Sequence, residues 1–376
     1  MLRQELKRVF KSRPALALSA AVLVLSVLMA ASTIRSVTAY PAPGKTLPDG
    51  APYLTGLEAI EYERQRSAPY EGWLTQERID RFLAEGAEPV ISALRRAQGG
   101  DLADYYSARK AYIERTVASR YGEDAAAAAL ALDESAAEPF FYEYGFGGSD
   151  ALIDLELVQF AVALVCAATA SMTFVRDYST GAGDILRCAR HGRGRLARAK
   201  TLGAFIFGSA LYFICCGVFT VIVLAAFGTD ASAAQLKGEY YSVLILGGMS
   251  MNAQLLLCLL AGWLSVLAVS AFALWLSACA ESPVAVFALS VAMAVLPLVG
   301  ASLLAEGAPG LWLQNILPGG GVCLTTGMMQ QLASAGFLAI GSLHIWTPIV
   351  MLAAPALETA AFALLARRAY VRHECK

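Results

Sequence analysis

Long apolar runs alternate with polar segments along this chain. A helix needs about 20 mostly apolar residues to cross roughly 30 Å of hydrocarbon. Six runs reach that length: 14–36, 152–175, 202–227, 252–279, 284–304 and 346–366. The pattern predicts an all-α polytopic membrane protein with six transmembrane helices.

The first apolar run follows a basic N-terminus, as the core of a secretory signal peptide would. It extends from Pro14 to Ile34, which is longer than the roughly 7–15 residues of a signal-peptide core. We therefore expect an uncleaved anchor. Residues 1–13 predict a cytoplasmic amphipathic helix in the inner headgroup layer, or else an ordinary basic flank. Four apolar residues would share one face of that helix: Leu2, Leu6, Val9 and Phe10.

The distribution of charge predicts how the six helices are oriented. Lys and Arg favour the cytoplasmic side of a membrane. With the N-terminus inside, the inner segments hold 16 basic and five acidic residues, and the outer segments hold 13 basic and 24 acidic ones. The inner segments are then the N-terminus, a loop at 176–201, the turn before the fifth helix and a tail at 367–376. We expect a multi-pass protein of the plasma membrane, of the bacterial inner-membrane type, with both termini cytoplasmic.

Residues 37–151 are expected to form a helical extracytoplasmic domain between helices 1 and 2. The segment is acidic and contains no cysteine, so it must fold without disulfides. Apolar residues recur on one face of two predicted helices: Ile79, Phe82 and Leu83 in one, and Leu102, Tyr106, Ile113 and Val117 in the other. The alanine run 125–129 favours a helix but offers little to bury. A small cap with solvated acids is the favoured interpretation, and a docking or ligand-gating surface is the alternative.

Two more polar or broken segments are expected on the outer side. Residues 228–251 predict an outer loop, and residues 305–345 predict an interfacial or re-entrant segment. Within the latter, residues 322–343 are uncharged and long enough to span, but a seventh helix would export the basic tail. The break at Pro318 and the three following glycines argues for irregular structure. Such backbone is tolerated at membrane depth only where protein buries it or where it lines a cavity.

Composition limits the chemistry that the chain can perform. Hydrophobic residues make up 57% and charged residues 16%, against about 25% charged residues in soluble domains. The eight cysteines and three histidines show no zinc-ligand spacing. We expect no metal site, no catalytic site and no nucleic-acid partner.

Acidic residues in or near the apolar runs are the main polar candidates. Glu358 is the one acid well inside a predicted span. Intramembrane carboxylates are energetically expensive and often functional. A structural polar contact is favoured over proton coupling at this position. Asp154 and Glu156 are expected near the outer end of the second helix, where headgroups and water can reach them.

The most informative segment follows the second predicted helix. Residues 174–200 read FVRDYSTGAGDILRCARHGRGRLARAK. This segment resembles the signature loop of type-2 ABC transporter permeases. In that family an acid stands four residues before a Gly, and another acid, an apolar pair, an Arg and a helix-opening Lys follow. The matching positions are Asp177, Gly181, Asp184, Ile185, Leu186, Arg193 and Lys200.

The N-terminal ELKRVFKSR, placed directly before an apolar run, also resembles the opening of this family. The loop departs from the family pattern in three places. Asp177 stands where Glu is frequent, Ala182 stands where Thr is usual, and no Pro lies near Arg190. These departures concern the detailed coupling contacts rather than the general role.

The resemblance implies the permease subunit of an ABC transporter, an exporter of a peptide, lipid or other amphipathic compound. Residues 194–201 approach a nucleotide-binding P-loop but lack its second Gly. The chain is therefore expected to be no enzyme and to bind no cofactor directly, with ATP and Mg on a separate ABC ATPase subunit. That subunit would dock on the loop at 176–201 through a short helix at 184–191. A second permease copy, or a paralogue, would complete a dimer in the lipid bilayer.

The alternative function is a membrane sensor or scaffold that transports nothing and carries an extracytoplasmic domain. Binding of a separate ATPase to the 176–201 loop would distinguish the two functions. The substrate, the homo- or heterodimeric state and the role of residues 37–151 do not follow from the sequence.

Overall fold

The computed structural model describes residues 2–41, 52–86, 104–134, 139, 141–144, 148–179, 192–228, 244–303, 308–323 and 327–372. These residues form thirteen α-helices: α1 Leu2–Phe10, α2 Arg13–Ser36, α3 Leu57–Ser67, α4 Gln76–Glu85, α5 Tyr105–Tyr121, α6 Glu123–Glu134, α7 Gly148–Ser179, α8 Gly192–Phe227, α9 Met251–Cys279, α10 Pro283–Leu303, α11 Ala308–Ile316, α12 Met328–Ser334 and α13 Thr347–Arg372. Two 3-10 helices lie at Ala68–Tyr70 and Gly320–Val322.

Short strands add three antiparallel pairs to the described part of the chain. The strands are β1 Thr38–Ala39, β2 Leu54–Thr55, β3 Gly72–Trp73, β4 Phe141–Tyr142, β5 Phe337–Ile340 and β6 Leu343–Trp346. They pair as β1 with β2, β3 with β4, and β5 with β6. In the longest pair, Phe337 lies opposite Trp346 and Ile340 lies opposite Leu343.

Six helices, namely α2, α7, α8, α9, α10 and α13, are long and apolar enough to cross a membrane. The prediction of a mostly helical chain with six candidate spans is therefore confirmed. Several helices extend past their predicted apolar limits. The helix predicted from residue 202 begins at Gly192, because the preceding segment is rich in the good helix formers Ala, Leu and Arg. In the same way, α13 continues to Arg372, into the predicted tail.

Helix α9 is the centre of the bundle. In its most apolar window 67% of the residues are buried, against 22% in α2 and 17% in α13. Its N-terminus is capped by the Ser250 hydroxyl, which accepts a hydrogen bond from the amide of Ala253 at 3.4 Å. Small residues between Ser265 and Ala273 are buried, which lets α7 and α13 pack close to the α9 backbone. The exposed apolar side chains of α2 and α13 suit contact with hydrocarbon.

Helices α3–α6 carry their own apolar clusters. Thr75 caps α4 through a hydrogen bond from the amide of Arg78 at 3.3 Å. Ile79 and Phe82 are buried on the inner face of this helix. In α5, Ile113 and Val117 are buried as their spacing predicts, whereas Leu102 lies outside the described residues.

The expectation that the alanine run offers little to bury is wrong. Ala125, Ala126 and Ala129 of α6 are all buried, packed with the apolar face of α5 and with Leu246 and Phe337. Alanine serves here because a small side chain lets two helices approach closely. The sharp corner between α5 and α6 uses Gly122 at φ +93°, a backbone conformation that glycine adopts without steric penalty.

Two arginines attach the α3–α6 region to the long helices. Arg64 of α3 donates a hydrogen bond to the carbonyl of Phe227, the last residue of α8. Arg109 of α5 forms a buried ion pair with Asp133 of α6 and also donates to the carbonyl of Ile245 at 2.7 Å. The region is thus fixed to the end of α8 and to the segment that leads into α9.

The segment between α10 and α13 reaches the middle of the bundle. The amide of Gly321 donates to the hydroxyl of Ser265, near the midpoint of α9, at 3.1 Å. Gly319, at φ +94°, lies against Val269 and Ala294. A side-chain carbon at Gly321 would lie 3.0 Å from the carbonyl oxygen of Ala261. The glycines therefore let irregular backbone enter between packed helices, where a serine hydroxyl satisfies it.

Glu156 binds a later part of the same segment. The expectation that water reaches this residue is wrong. Its side chain is buried and accepts a hydrogen bond from the amide of Met329, in the first turn of α12, at 2.8 Å. Gly327 leaves room for the carboxylate. Asp154, two residues earlier, accepts a hydrogen bond from the hydroxyl of Thr33 in α2 at 2.6 Å.

The buried Arg109–Asp133 pair predicts a large effect on stability. We expect Asp133→Ala to lower the free energy of unfolding by about 3–5 kcal/mol, because it leaves the Arg109 guanidinium buried without its counter-charge. Thermal unfolding in detergent measures the loss. The exposed Arg120→Ala change in α5, the helix that carries Arg109, is the control, with an expected effect within about 0.5 kcal/mol. Equal effects of the two changes would contradict the prediction.

The close approach of Gly321 to α9 predicts a steric effect of a single methyl group. We expect Gly321→Ala to destabilise the protein by about 1–3 kcal/mol, because the neighbouring α9 backbone cannot retreat easily. Gly217→Ala in α8 is the matched control, since open space surrounds that position. Melting temperatures of the two variants give the comparison. A Gly321→Ala protein as stable as the control would show that the segment is loosely packed.

Candidate functional site

Two oppositely charged side chains meet where α7 ends and α8 begins. Asp177 lies in the last turn of α7, and Lys200 lies in the third turn of α8. The Lys200 ammonium forms an ion pair with Oδ2 of Asp177. Only 3% of the Asp177 side chain and 0% of the Lys200 side chain are exposed. The two helices are therefore joined by a desolvated charge pair at the base of residues 180–191.

The remaining hydrogen-bonding capacity of this pair is also used. Lys200 Nζ donates to the carbonyl of Thr173 at 2.9 Å and lies 5.5 Å from the ring centre of Phe174. Asp177 Oδ1 accepts from Arg8 of α1 at 3.4 Å. Additional partners are what a buried ion pair needs, since the attraction between two charges only offsets the loss of their hydration.

Helix α1 completes a cluster of four charges, which we call the ion cluster: Glu5, Arg8, Asp177 and Lys200. Arg8 lies 3.6 Å from Glu5 on its own helix and 3.4 Å from Asp177. The two acids and two bases alternate in space, and their formal charges cancel. Phe10 holds α1 against α8 through an edge-on contact with Phe207, with ring centres 5.4 Å apart.

Aromatic residues and a serine extend this connection to the ends of α9 and α13. Tyr370 of α13 is buried, with its ring 4.8 Å from Phe174 and stacked on Tyr178 at 6.2 Å. Tyr178 donates from its hydroxyl to the carbonyl of Ala278, near the end of α9, at 3.2 Å. Ser277 Oγ accepts from the amide of Phe174 at 2.9 Å. Five helices are therefore tied together at this end of the bundle.

The structure brings together two of the predicted site residues, Asp177 and Lys200. Gly181, Asp184, Ile185 and Leu186 lie outside the described residues, as does the short helix predicted at 184–191. The backbone of Arg193 belongs to the first turn of α8, and its side chain is outside the described part.

Sequence reasoning missed the residues that surround the predicted pair. Arg8, Thr173 and Phe174 contact the pair directly. Glu5 contacts Arg8, and Ser277 and Tyr370 contact Phe174. The spacing of Glu5 and Arg8 in an amphipathic helix was a usable signal, because residues three apart share a helix face. Nothing in the local sequence around Ser277 or Tyr370 indicates contact with α7.

Glu358, the predicted intramembrane acid, lies near the middle of α13 and is half-buried. Its Oε2 atom is buried and has no hydrogen-bond partner within the described residues. One turn further along, Phe362 packs on Phe272 and Trp275 of α9, with ring centres 5.2 and 5.4 Å away. The ion cluster and Glu358 are therefore separate polar features.

The ion cluster joins α1, α7 and α8 through contacts between charged side chains. Its charged groups contact one another and the backbone, and the described residues contain no group of three metal-ligating side chains. What the arrangement can do is mechanical. A force on residues 180–191 would act on α7 and α8 together, because the ion pair joins these helices. It would also act on α1, α9 and α13, which contact them.

No protein-family model matches the chain, and no curated protein matches it either. Class and function therefore rest on the fold and on the ion cluster. The six long apolar helices indicate a multi-pass membrane protein.

The burial of Lys200 predicts strong protection from amine-reactive reagents. In detergent, we expect Lys200 to be modified roughly tenfold or more slowly than the exposed Lys7 and Lys11, because the ion cluster must open first. Asp177→Asn should remove most of this protection. Peptide mass spectrometry after timed labelling measures the rates. Arg198→Gln, an exposed change in the same turn of α8, should leave protection intact. Fast labelling of Lys200 in the unaltered protein would contradict the geometry.

Proposed function

We propose that the chain is the membrane subunit of an ATP-driven exporter of the type-2 ABC class, with the ATPase on a separate polypeptide. The observation that carries the proposal is the Asp177–Lys200 ion pair. These residues are the first and last positions of the loop motif that resembles the permease family. Their contact brings the two ends of the motif together and fixes them in the bundle.

A closed loop on a fixed base suits the transfer of force from a docked ATPase. Helix α8 runs without interruption for 36 residues from the loop, which is about 54 Å at 1.5 Å per residue. At its other end the carbonyl of Phe227 binds Arg64 of α3. Movement of the loop would thus displace α8 as a rigid body, and this displacement would also move the α3–α6 region. Nucleotide-driven closure of the ATPase would supply that movement.

The proposed topology places the ion cluster in the cytoplasm and the α3–α6 region outside. The contacts of α1 with α7 and of α13 with α7 bring both ends of the described chain to the same end of the bundle. An even number of crossings accounts for this arrangement. The excess of Lys and Arg in these segments supports a cytoplasmic location for them, and the membrane we propose is a plasma membrane of the bacterial inner-membrane type.

The transported compound would be a peptide, a lipid or another amphipathic molecule. The six helices are apolar, and their exposed faces carry few charged side chains. A path between two such subunits suits a substrate with substantial apolar surface. The second subunit would be another copy of the chain or a paralogue, and each subunit would bind one ATPase.

Sensing is a second candidate function, favoured by the α3–α6 region. Arg64 and Arg109 connect this region to the end of α8 and to the segment before α9. A ligand that moved α3–α6 would therefore also move the long helices. A sensor or scaffold of this kind would need no ATPase, so binding of an ATPase separates the two functions.

The exporter proposal predicts a specific effect of replacing the loop. We expect the full chain to co-purify with an ABC ATPase encoded beside it, and to stimulate ATP hydrolysis in proteoliposomes. Replacing residues 184–191 with a Gly-Ser segment of equal length should abolish co-purification, because it removes the docking helix but retains the ion cluster. Hydrolysis assays and pull-downs provide the measurements.

The same Gly-Ser replacement at residues 229–236 is the matched control, since the proposed topology places that segment outside. It should leave ATPase binding intact. Binding that survives the 184–191 replacement, or an ATPase that never binds the unaltered chain, would overturn the proposal and favour the sensor.

A further inference from the structure

A groove of about 460 Å³ lies beside the ion cluster. It is bounded by α1 and the start of α2, by the second half of α7, and by the start of α10. This volume falls in the range of roughly 300–1,000 Å³ that is typical of small-molecule sites. The exporter proposal does not use this groove.

The two ends of the groove differ in polarity. Leu18, Ala168 and Phe287 contribute to its apolar part, and Arg8 and Arg176 lie at its polar end. Ala168 precedes Arg176 by two turns of α7, which separates them by about 12 Å along the helix. Met172, between them, is 40% exposed, so the groove is open to the side of the bundle. An occupant must have one polar end and a long apolar body.

The charges at the polar end favour an anionic headgroup. Two arginines and Glu5 line it, and Asp177 lies behind Arg8. Arg8 contacts both acids, and the side chain of Arg176 is exposed at the end of α7. A phosphate between the two guanidinium groups would gain charge-assisted hydrogen bonds. Basic pockets between membrane helices are suited to phospholipid headgroups for this reason.

We propose that this groove binds one anionic phospholipid from the surrounding bilayer. Its phosphate lies between Arg8 and Arg176, and an acyl chain follows the apolar wall past Ala168 toward Leu18 and Phe287. The lipid connects α1 to α7 beside the ion cluster and shares Arg8 with Asp177. The site requires only that the bundle lies in a membrane, so it does not depend on transport activity.

In the test, the full chain in detergent is titrated with dioleoyl phosphatidylglycerol. Native mass spectrometry counts the lipids that stay bound. We expect one lipid to remain bound at concentrations about tenfold lower than dioleoyl phosphatidylcholine requires. Arg176→Gln should remove this preference by deleting one charge. Ala168→Trp should weaken binding of the lipid by filling the apolar part. Soluble glycerol 1-phosphate, a headgroup without acyl chains, should not compete.

Two matched variants control for general effects. Arg367→Gln removes an exposed charge from α13, at the end of the bundle that carries the ion cluster. Val24→Trp adds a large ring to an exposed position of α2 outside the groove. Both should bind the lipid like the unaltered chain. Leu18→Gln, which makes the wall polar, replaces Ala168→Trp if that variant does not fold.

Three results would overturn the proposal. Equal retention of the two lipids would show that the arginines do not select the headgroup. Unchanged binding in both groove-wall variants would place the lipid elsewhere. A change from dimer to monomer in Ala168→Trp, with the lipid count unaltered, would show that a second copy of the chain covers the groove.

Discussion

A bundle of membrane helices contains almost no water, so every buried charge and every backbone group that leaves a helix must find a partner inside the protein. This requirement explains where the polar residues of the chain lie. Asp177 and Lys200 meet at one end of α7. Near the other end, Glu156 accepts a hydrogen bond from the backbone of α12. Ser265, between them in depth, satisfies the amide of Gly321. The first of these contacts joins two consecutive helices, and the other two join elements that are 56 and 173 positions apart in sequence. Together they constrain how the helices are arranged.

The same contacts make the long helices continuous links between the two ends of the molecule. Helix α8 begins near the ion cluster and ends at Phe227, where Arg64 binds the terminal carbonyl. Helix α9 follows a segment in which the carbonyl of Ile245 accepts a hydrogen bond from Arg109. In the last turn of α9, Ser277 accepts a hydrogen bond from the backbone of α7. Because packed helices resist bending, a displacement at one end is passed to the other. This physical link supports both the transport proposal and the sensor alternative, and only ATPase binding separates them.

The sequence predicted the helices well and their pairings poorly. Apolar runs gave the six candidate spans, and helical spacing identified Ile113 and Val117 as buried residues of α5. The motif drew attention to Asp177 and Lys200 but did not show that they form an ion pair. Arg8 and Asp177 are 169 positions apart, and Glu156 and Met329 are 173 apart. Contacts at such separations depend on how helices pack, which local patterns do not encode. The buried alanines of α6 were missed for a related reason, since their value lies in the close approach of a neighbouring helix.

Glu358 departs from the general rule and thereby bears on assembly. It is half-buried near the middle of α13, and its Oε2 atom has no partner among the described residues. Helix α13 is also the least buried of the six candidate spans. A carboxylate in this position must be protonated in hydrocarbon or must receive a hydrogen bond from outside the described residues, because an isolated charge at that depth is strongly unfavourable. A second subunit packed against α13 would supply such a donor and would cover its exposed leucines as well. The dimer of the exporter proposal would therefore supply a partner for Glu358, the one acid whose buried carboxylate oxygen, Oε2, has no hydrogen-bond partner among the described residues.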